Sequence, residues 1–284
     1  MTFVPGILSK SFLFFVIILF TPWTRKIPII TQSNLLISFP FLFSCQNSSD
    51  DFLHISDILN KDKIFIKLID NKKILHLILG LLGWNIYVFH SHLDINLPIK
   101  LDNPPNLTWH RDNSRMNYDF KDGKYPLVAL KAGYWLSDVS KEGRGQLYVI
   151  PGSHNWGTIK GNNIRNDKLL GRAIPIKSKA GDVVLFDSRI WHTRSNNFSK
   201  LTRKVIFIGY SYRWLRPRDD VKVESHIIQV ASDVQKQLLN RDIGSSSYVP
   251  KDDDVPLKKI FFKLYTNNNG KWRKRNESES SYSH

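Results

Sequence analysis

Cysteine is almost absent from this 284-residue sequence. Because Cys45 stands alone, an internal disulfide cannot form and a cysteine-based zinc or iron–sulfur site is excluded. Stability must come from packing, and a content of 42% hydrophobic and 12% aromatic residues is enough to build a core. Glycine and proline are not in excess, so the chain as a whole is not of low complexity. The lack of disulfides fits a reducing compartment and favours the cytoplasm.

Acidic residues are scarce relative to basic ones, with 25 against 41, which gives a formal net charge of +16. One interpretation is attraction to anions such as nucleic acid, a membrane surface, or substrates that bear phosphate or carboxylate. The other is a basic surface without a dedicated partner. Basic residues are nowhere dense or interleaved with aromatics as in nucleic-acid-binding segments. We therefore expect no nucleic-acid partner, while an anionic or acyl-linked small-molecule substrate is compatible with the charge.

Residues 1–50 differ in character from the rest. An apolar run over 11–20 is followed by Arg25-Lys26, and a second apolar stretch occupies 27–45. The first run is short for a membrane-spanning helix, and it suits a signal peptide, although no small-residue cleavage site follows. Three interpretations stay open: a signal or signal-anchor, a membrane-associated hairpin within residues 11–45, and an imprecise gene start.

Hydrophobic periodicity predicts helices first and strands afterwards. Apolar residues recur at three- and four-residue spacing over 51–83, which predicts helices, and 226–239 has the pattern of another amphipathic helix. Short apolar segments separated by turn residues predict a sandwich or barrel in between. The polar tail, 267–284, is predicted to be disordered. The predicted strands are 85–92, 127–139, 146–150, 173–176, 182–186 and 204–212.

Two His-x-Asp patterns are candidates for metal binding. In a strand, residues two apart point to the same face, so His110 and Asp112 can hold one ion from one side. The pattern alone is weak because the chain has a second copy, His92-Leu-Asp94.

A further histidine and an arginine follow downstream. Gly181 leads into an apolar strand that ends at His192, where a third ligand is expected. Two histidines and one carboxylate leave open positions on the metal, which suits Fe(II). Arg203 follows the turn at Asn196-Asn197, and its guanidinium suits pairing with a carboxylate, although a surface arginine is the simpler interpretation.

The order of these elements resembles the phytanoyl-CoA dioxygenase family over roughly residues 82–217. The resemblance rests on His110-x-Asp112, on Gly145-Gln-Leu-Tyr-Val-Ile-Pro-Gly-Ser-His154, and on Gly181-Asp182, His192 and Arg203. It implies a mainly β protein with flanking helices, built on a double-stranded β-helix (a jelly-roll, cupin-like barrel). It also implies Fe(II) as cofactor, with 2-oxoglutarate and O2 as co-substrates, for a domain spanning 51–266.

The resemblance also implies residue roles. His110, Asp112 and His192 would bind iron, Arg203 would hold 2-oxoglutarate, and Tyr134 would line the co-substrate pocket. The interval to the Pro-Gly-Ser-His turn favours His110 over His92, and places His154 in a structural role.

Two features depart from the family. Arg194 occupies a position where members often have a small hydroxyl residue, and the usual amino-terminal portion is not recognisable in residues 1–50. The expected activity is hydroxylation of an unactivated C–H bond of a small molecule, since Asp112 leaves no position on the metal for a halide. The alternative is a catalytically inactive jelly-roll ligand-binding protein.

Overall fold

The computed structural model describes 52–100, 107–112, 125–156, 171–219, 223–240 and 255–266, together with Met116, 119–120 and, as backbone alone, Val16–Leu19. These residues divide into two units. The first comprises the described parts of 14–58 and 91–208, and the second comprises those of 59–90 and 209–284.

The first unit is built on two sheets. The larger has the strand order β1-β7-β4-β9-β3-β2, and the smaller has the order β6-β5-β8. β3 and β9 continue into the second unit, because the unit boundaries fall within these two strands. The strands are β1 (Val16–Leu19), β2 (Phe52–Ser56), β3 (Ile86–Asn96), β4 (Ala129–Trp135), β5 (Leu147–Val149), β6 (Ile174–Ile176), β7 (Val183–Asp187), β8 (His192–Arg194) and β9 (Arg203–Tyr212).

The core of this unit lies between the two sheets. Leu147 and Val149 of the smaller sheet pack in one cluster with Trp135, Phe186 and Phe207 of the larger sheet. Side chains that alternate along each strand supply this layer, as in other face-to-face sheets. The described strands do not close into a continuous barrel, but the two-sheet arrangement is that of a jelly roll.

The helix predicted at the start of residues 51–83 is wrong in part. Phe52–Ser56 is a strand that pairs antiparallel with β3, with His54 opposite Asp94 and Ser56 opposite His92. The apolar spacing of so short a segment fits a helix and a strand equally well, and pairing with β3 decides for the strand. The strands predicted farther along are confirmed to within a few residues, with one exception. The apolar strand after Gly181 does not extend to His192: it ends at Asp187, and His192 begins β8 after a turn.

The second unit is mainly helical. Besides a 3₁₀ helix at Ile58–Asn60, it contains α1 (Ile66–Ile69), α2 (Lys72–Leu82), α3 (Ser225–Val230), α4 (Asp233–Leu238) and α5 (Pro256–Tyr265). The single helix predicted over 226–239 is therefore wrong. It divides because Ser232 caps α4 with a capping box, in which its hydroxyl accepts from the backbone of Gln235 and the Gln235 side chain accepts from the backbone of Ser232.

The apolar amino-terminal segment is described over four residues only. Val16–Leu19 pairs antiparallel with β7 at the edge of the larger sheet. The rest of residues 11–45 and the tail at 267–284 lie outside the described residues, as do the predictions made for them. Among the helices that the structure describes, none is long and apolar enough to span a membrane.

We predict that Gly133→Ala destabilises the first unit. A Cβ at Gly133 would lie 2.5 Å from Cζ3 of Trp135 and 2.8 Å from Cε1 of Phe207. Overpacking of this kind costs about 1–3 kcal/mol, measurable as a lower urea midpoint. Trp135→Phe removes the nearest ring atoms, so the double variant should lose less stability than the sum of the two single variants. Simple additivity would contradict this explanation.

Candidate metal centre

Backbone pairing brings the three predicted ligands together. The amide of His110 donates to the carbonyl of His192 at 3.0 Å, and the amide of His192 donates back at 2.9 Å. The amide of Asp112 donates to the carbonyl of Ser188 at 2.9 Å. As a result, one potential ligand atom from each of His110, Asp112 and His192 lies within 4.8 Å of the other two.

Carbonyl groups orient both imidazoles. Nδ1 of His110 lies 3.1 Å from the carbonyl oxygen of Thr108, and Nδ1 of His192 lies 2.8 Å from that of Ile190. Nδ1 must carry the proton to donate in these contacts, so Nε2 has the lone pair. Histidines that bind metals commonly have this arrangement. Nε2 of His192 lies 3.9 Å from Oδ2 of Asp112.

The protonation states of the buried ligands suit a cation. Burial acts to raise the pKa of Asp112, but the charges of Lys131, His192 and His110 and a hydrogen bond from Lys131 outweigh it and hold that pKa well below its usual range. Burial, with the nearby His110, lowers the pKa of His192 to about 3, although Asp112 opposes this shift. Near neutral pH the site therefore presents a carboxylate and a neutral imidazole, the forms that bind a metal.

Lys131 of β4 is a member of this site that sequence reasoning missed. Its Nζ lies 2.8 Å from Oδ1 and 2.7 Å from Oδ2 of Asp112, and 5.4 Å from the centre of the Phe207 ring. The residue is 7% exposed, so the ion pair is buried. The sequence signal that could have identified it is a single lysine in an otherwise apolar strand, because a buried charge requires a partner.

Arg203 is buried at the start of β9. Its Nη1 donates to Oδ1 of Asn96 at 2.8 Å, and its Nε has no hydrogen-bond partner among the described residues. Burial lowers the pKa of Arg203 to about 10, an effect that Asp94 opposes and Arg194 reinforces. The side chain is therefore a cation at neutral pH. The hydrogen bond described for it goes to Asn96 rather than to the triad.

Tyr134 lies on β4, and its predicted role in lining the co-substrate pocket stays a prediction. Tyr134 is buried, but alternation along β4 puts it on the opposite face from Lys131, Gly133 and Trp135. Gly133 and Trp135 face Phe207, and Lys131 reaches Asp112 from the same side. Lys131, rather than Tyr134, is therefore the residue of β4 that contacts the triad.

The remaining candidates lie elsewhere in the first unit. The guanidinium of Arg194 lies over the ring of Phe52, 4.0 Å from its centre. His154 is half-buried in a short 3₁₀ helix, Ser153–Asn155, outside the triad. His92, the alternative ligand, belongs to a second group with His54 and Asp94.

One curated relative shares a limited region with this chain. "Dioxygenase af480" of Aspergillus fumigatus (strain ATCC MYA-4609 / CBS 101355 / FGSC A1100 / Af293) is 31% identical over 128 residues, which is 44% of this chain and 40% of that protein. The chain therefore matches about two fifths of the length of this relative.

Solved structures show the same fold. The apoform of EctD from S. alaskensis superimposes with a TM-score of 0.56 at 19% identity, covering 77% of this chain and 85% of that one. HygX from Streptomyces hygroscopicus, solved with nickel and 2-oxoglutarate bound, gives 0.51 at 16% identity, covering 72% and 85%. At these identities the likeness establishes the fold alone, and it confirms the predicted jelly roll.

The family follows from a match over a longer stretch. The family model described as Phytanoyl-CoA dioxygenase (PhyH) matches residues 42–205, more than half of the chain. This stretch contains His110, Asp112, His192 and Arg203, the residues on which the resemblance rested. The chain belongs to the phytanoyl-CoA dioxygenase family.

Proposed function

We propose that this protein is an Fe(II)- and 2-oxoglutarate-dependent dioxygenase that hydroxylates an unactivated C–H bond of a small molecule. The observation that carries the proposal is the group formed by His110, Asp112 and His192, whose ligand atoms lie within 4.8 Å of one another. Family membership supports the same activity.

The donor set fits ferrous iron. Two imidazole nitrogens and one carboxylate on the same side of an ion leave positions for a bidentate co-substrate and for O2. When bound, iron would activate O2, the oxidant for C–H hydroxylation, and 2-oxoglutarate would supply two electrons on its conversion to succinate and CO2. The chain's contribution is to hold the ligands, since Thr108 and Ile190 fix the two imidazoles. Asp112 fills the position that a halide would need, so hydroxylation is proposed rather than halogenation.

Arg203 is the proposed partner of the distal carboxylate of 2-oxoglutarate. It is a buried cation whose Nε has no hydrogen-bond partner among the described residues, so it has donor capacity to spare. Its side chain shares the inward face of β9 with Val205 and Phe207, which belong to the core between the sheets. Among its charged neighbours, Asp94 is negative and Arg194 adds a second positive charge. A dicarboxylate is the kind of ligand that this environment favours.

The substrate is proposed to reach the triad from the side of His110. This residue is exposed, whereas Asp112 and His192 are buried. HygX, one of the proteins with the same fold, has been solved with the small molecule hygromycin B bound. For this chain the basic charge supports an anionic or acyl-linked small molecule.

The direct test is release of succinate from 2-oxoglutarate in the presence of Fe(II) and O2. We expect turnover by the wild type and a loss of about 100-fold or more in His110→Ala, because an exposed ligand can be removed without disturbing the core. His76→Ala, at an exposed position of α2, is the matched control and should retain turnover. Equal turnover in the wild type and His110→Ala would overturn the proposal.

A second candidate function is a jelly-roll protein that binds a ligand without catalysis. The observation that favours it is Lys131, whose ammonium contacts both carboxylate oxygens of Asp112 and so competes with a metal. Anaerobic titration with Fe(II) separates the two functions. One equivalent of bound Fe(II) that is lost in His110→Ala supports the enzyme, and equal binding by the wild type and His110→Ala supports the ligand-binding module.

A further inference from the structure

A second pair of histidines with an aspartate lies on the β2–β3 ribbon. The register places His54 directly opposite Asp94, and His92 is two residues before Asp94 on the same strand. Because side chains two apart share a face, and directly opposed residues also share one, all three project from the same side of the ribbon. Their potential ligand atoms lie within 4.8 Å of one another.

We propose that His54, His92 and Asp94 form a second binding site for a divalent transition-metal ion. Nδ1 of His54 lies 2.8 Å from Oδ1 of Asp94, and Nε2 of His92 lies 3.8 Å from the same oxygen. The two imidazole rings are 4.6 Å apart, centre to centre. Two atoms that each bind one ion at about 2.1 Å are separated by distances similar to those between these side chains. Small side-chain rotations therefore suffice to bring all three residues onto one ion. Metal binding would displace the proton between His54 and Asp94.

The chemistry of the site selects the ion. Imidazole with carboxylate suits Zn²⁺, Ni²⁺, Cu²⁺ and Fe²⁺, whereas Mg²⁺ and Ca²⁺ prefer oxygen ligands. The positive charge of Arg203 acts on Asp94, which weakens the purely electrostatic attraction of a cation. Affinity therefore depends on the two imidazoles, and we expect Mg²⁺ not to compete. The side chain of His54 is 35% exposed, so the ion can enter from solvent.

An ion at this site would cross-link β2 to β3. Among the strands that the structure describes, β2 lies at the edge of the larger sheet and pairs with β3 alone. Edge strands have one row of unpaired backbone groups and open more readily than central strands. A ligand from β2 with two from β3 would hold this edge closed, so the ion would stabilise the folded state by mass action.

The experiment measures bound Zn²⁺ after equilibrium dialysis against a small excess of free metal in the presence of Mg²⁺. We expect His54→Gln to bind one equivalent fewer than the wild type, because glutamine keeps a hydrogen bond to Asp94 but supplies no imidazole. His110→Ala, which removes a ligand of the other site, should also lose one equivalent, and the double variant should lose both. His76→Ala is the matched control for a histidine outside both groups.

A second measurement is the thermal midpoint with Zn²⁺ and with chelator. In His110→Ala, Zn²⁺ should still raise the midpoint, and in the His54→Gln/His110→Ala double variant it should not. Equal amounts of bound Zn²⁺ in the wild type and His54→Gln would overturn the second site, and so would a Zn²⁺-induced rise that persists in the double variant. Neither outcome depends on catalytic turnover, so the second site can fail while the proposed dioxygenase stands.

Discussion

Lys131→Met is expected to destabilise the metal-free protein by roughly 3–5 kcal/mol, because removing one partner of a buried ion pair leaves the other charge without compensation. Lys131 and Asp112 are 7% and 6% exposed, and the ammonium contacts both carboxylate oxygens. For a domain of this size, the loss corresponds to a thermal midpoint lower by about 6–20 °C in the presence of chelator.

The same substitution is expected to strengthen metal binding. In the wild type an ion at Asp112 must share the carboxylate with the ammonium of Lys131 and experiences its repulsion. Without that charge, Fe(II) added under anaerobic conditions should raise the thermal midpoint of Lys131→Met by more than it raises that of the wild type. The lower stability of the metal-free variant and its larger stabilisation by Fe(II) would both result from loss of the same ion pair.

The matched control is Lys236→Met. Lys236 pairs with Asp233 at 3.6 Å, and their side chains are 36% and 78% exposed. An exposed pair contributes little, so this variant should stay within about 0.5 kcal/mol of the wild type. If Lys131→Met were equally harmless with chelator present, Asp112 would not be a buried carboxylate held by the lysine.

Arg203→Met is expected to raise the KM for 2-oxoglutarate by about 10- to 100-fold, since hydrogen bonds to a charged group contribute about 1.5–3 kcal/mol. This prediction rests on the proposed function. The kcat at saturating co-substrate should change much less, because Arg203 would bind the end of 2-oxoglutarate remote from the iron. Steady-state kinetics of succinate release measures both parameters.

Two further variants separate pairing with a carboxylate from general effects of charge or folding. Arg203→Lys keeps the positive charge but loses the planar fork, so an intermediate KM is expected. Arg194→Met removes a neighbouring positive charge that is stacked on Phe52, and should raise KM less than Arg203→Met does. An equal rise in Arg194→Met, or a fall in kcat alone in Arg203→Met, would contradict the assigned role.

The sequence predicts most strands of the first unit well, but it misassigns Phe52–Ser56 and predicts one helix where the structure has two. Residues 182–186 are a continuous apolar run entered through Gly181, and 204–212 have a long alternating pattern; both are strands in the structure to within one residue. The apolar pattern of Phe52–Ser56 fits a helix as well as a strand, because five residues are too few to distinguish helical from strand periodicity. The helix over 226–239 was predicted as continuous because the cap at Ser232 interrupts the chain without interrupting the apolar spacing.

By itself, the sequence determined which residues carry metal-binding chemistry. It displayed the His110-x-Asp112 spacing and a further histidine, His192, downstream of an apolar strand, and the order of these residues identified the family. These features depend on short spacing along the chain or on local pattern, which a sequence displays directly. In the structure, however, His192 begins β8 after a turn, and His110 forms an isolated bridge rather than part of a strand. The role of these residues as iron ligands stays a prediction.

Only the tertiary structure decided what surrounds those residues. It paired Lys131 with Asp112, placed Asn96 on Arg203, and joined His54 to the second His-x-Asp copy at His92 and Asp94. These contacts join different strands or segments, so they depend on strand order and register. Shifting the register of a strand by one residue would turn its side chains to the other face of the sheet. The sequence therefore supplied the candidate ligands, and the packing of the strands decided which charges accompany them.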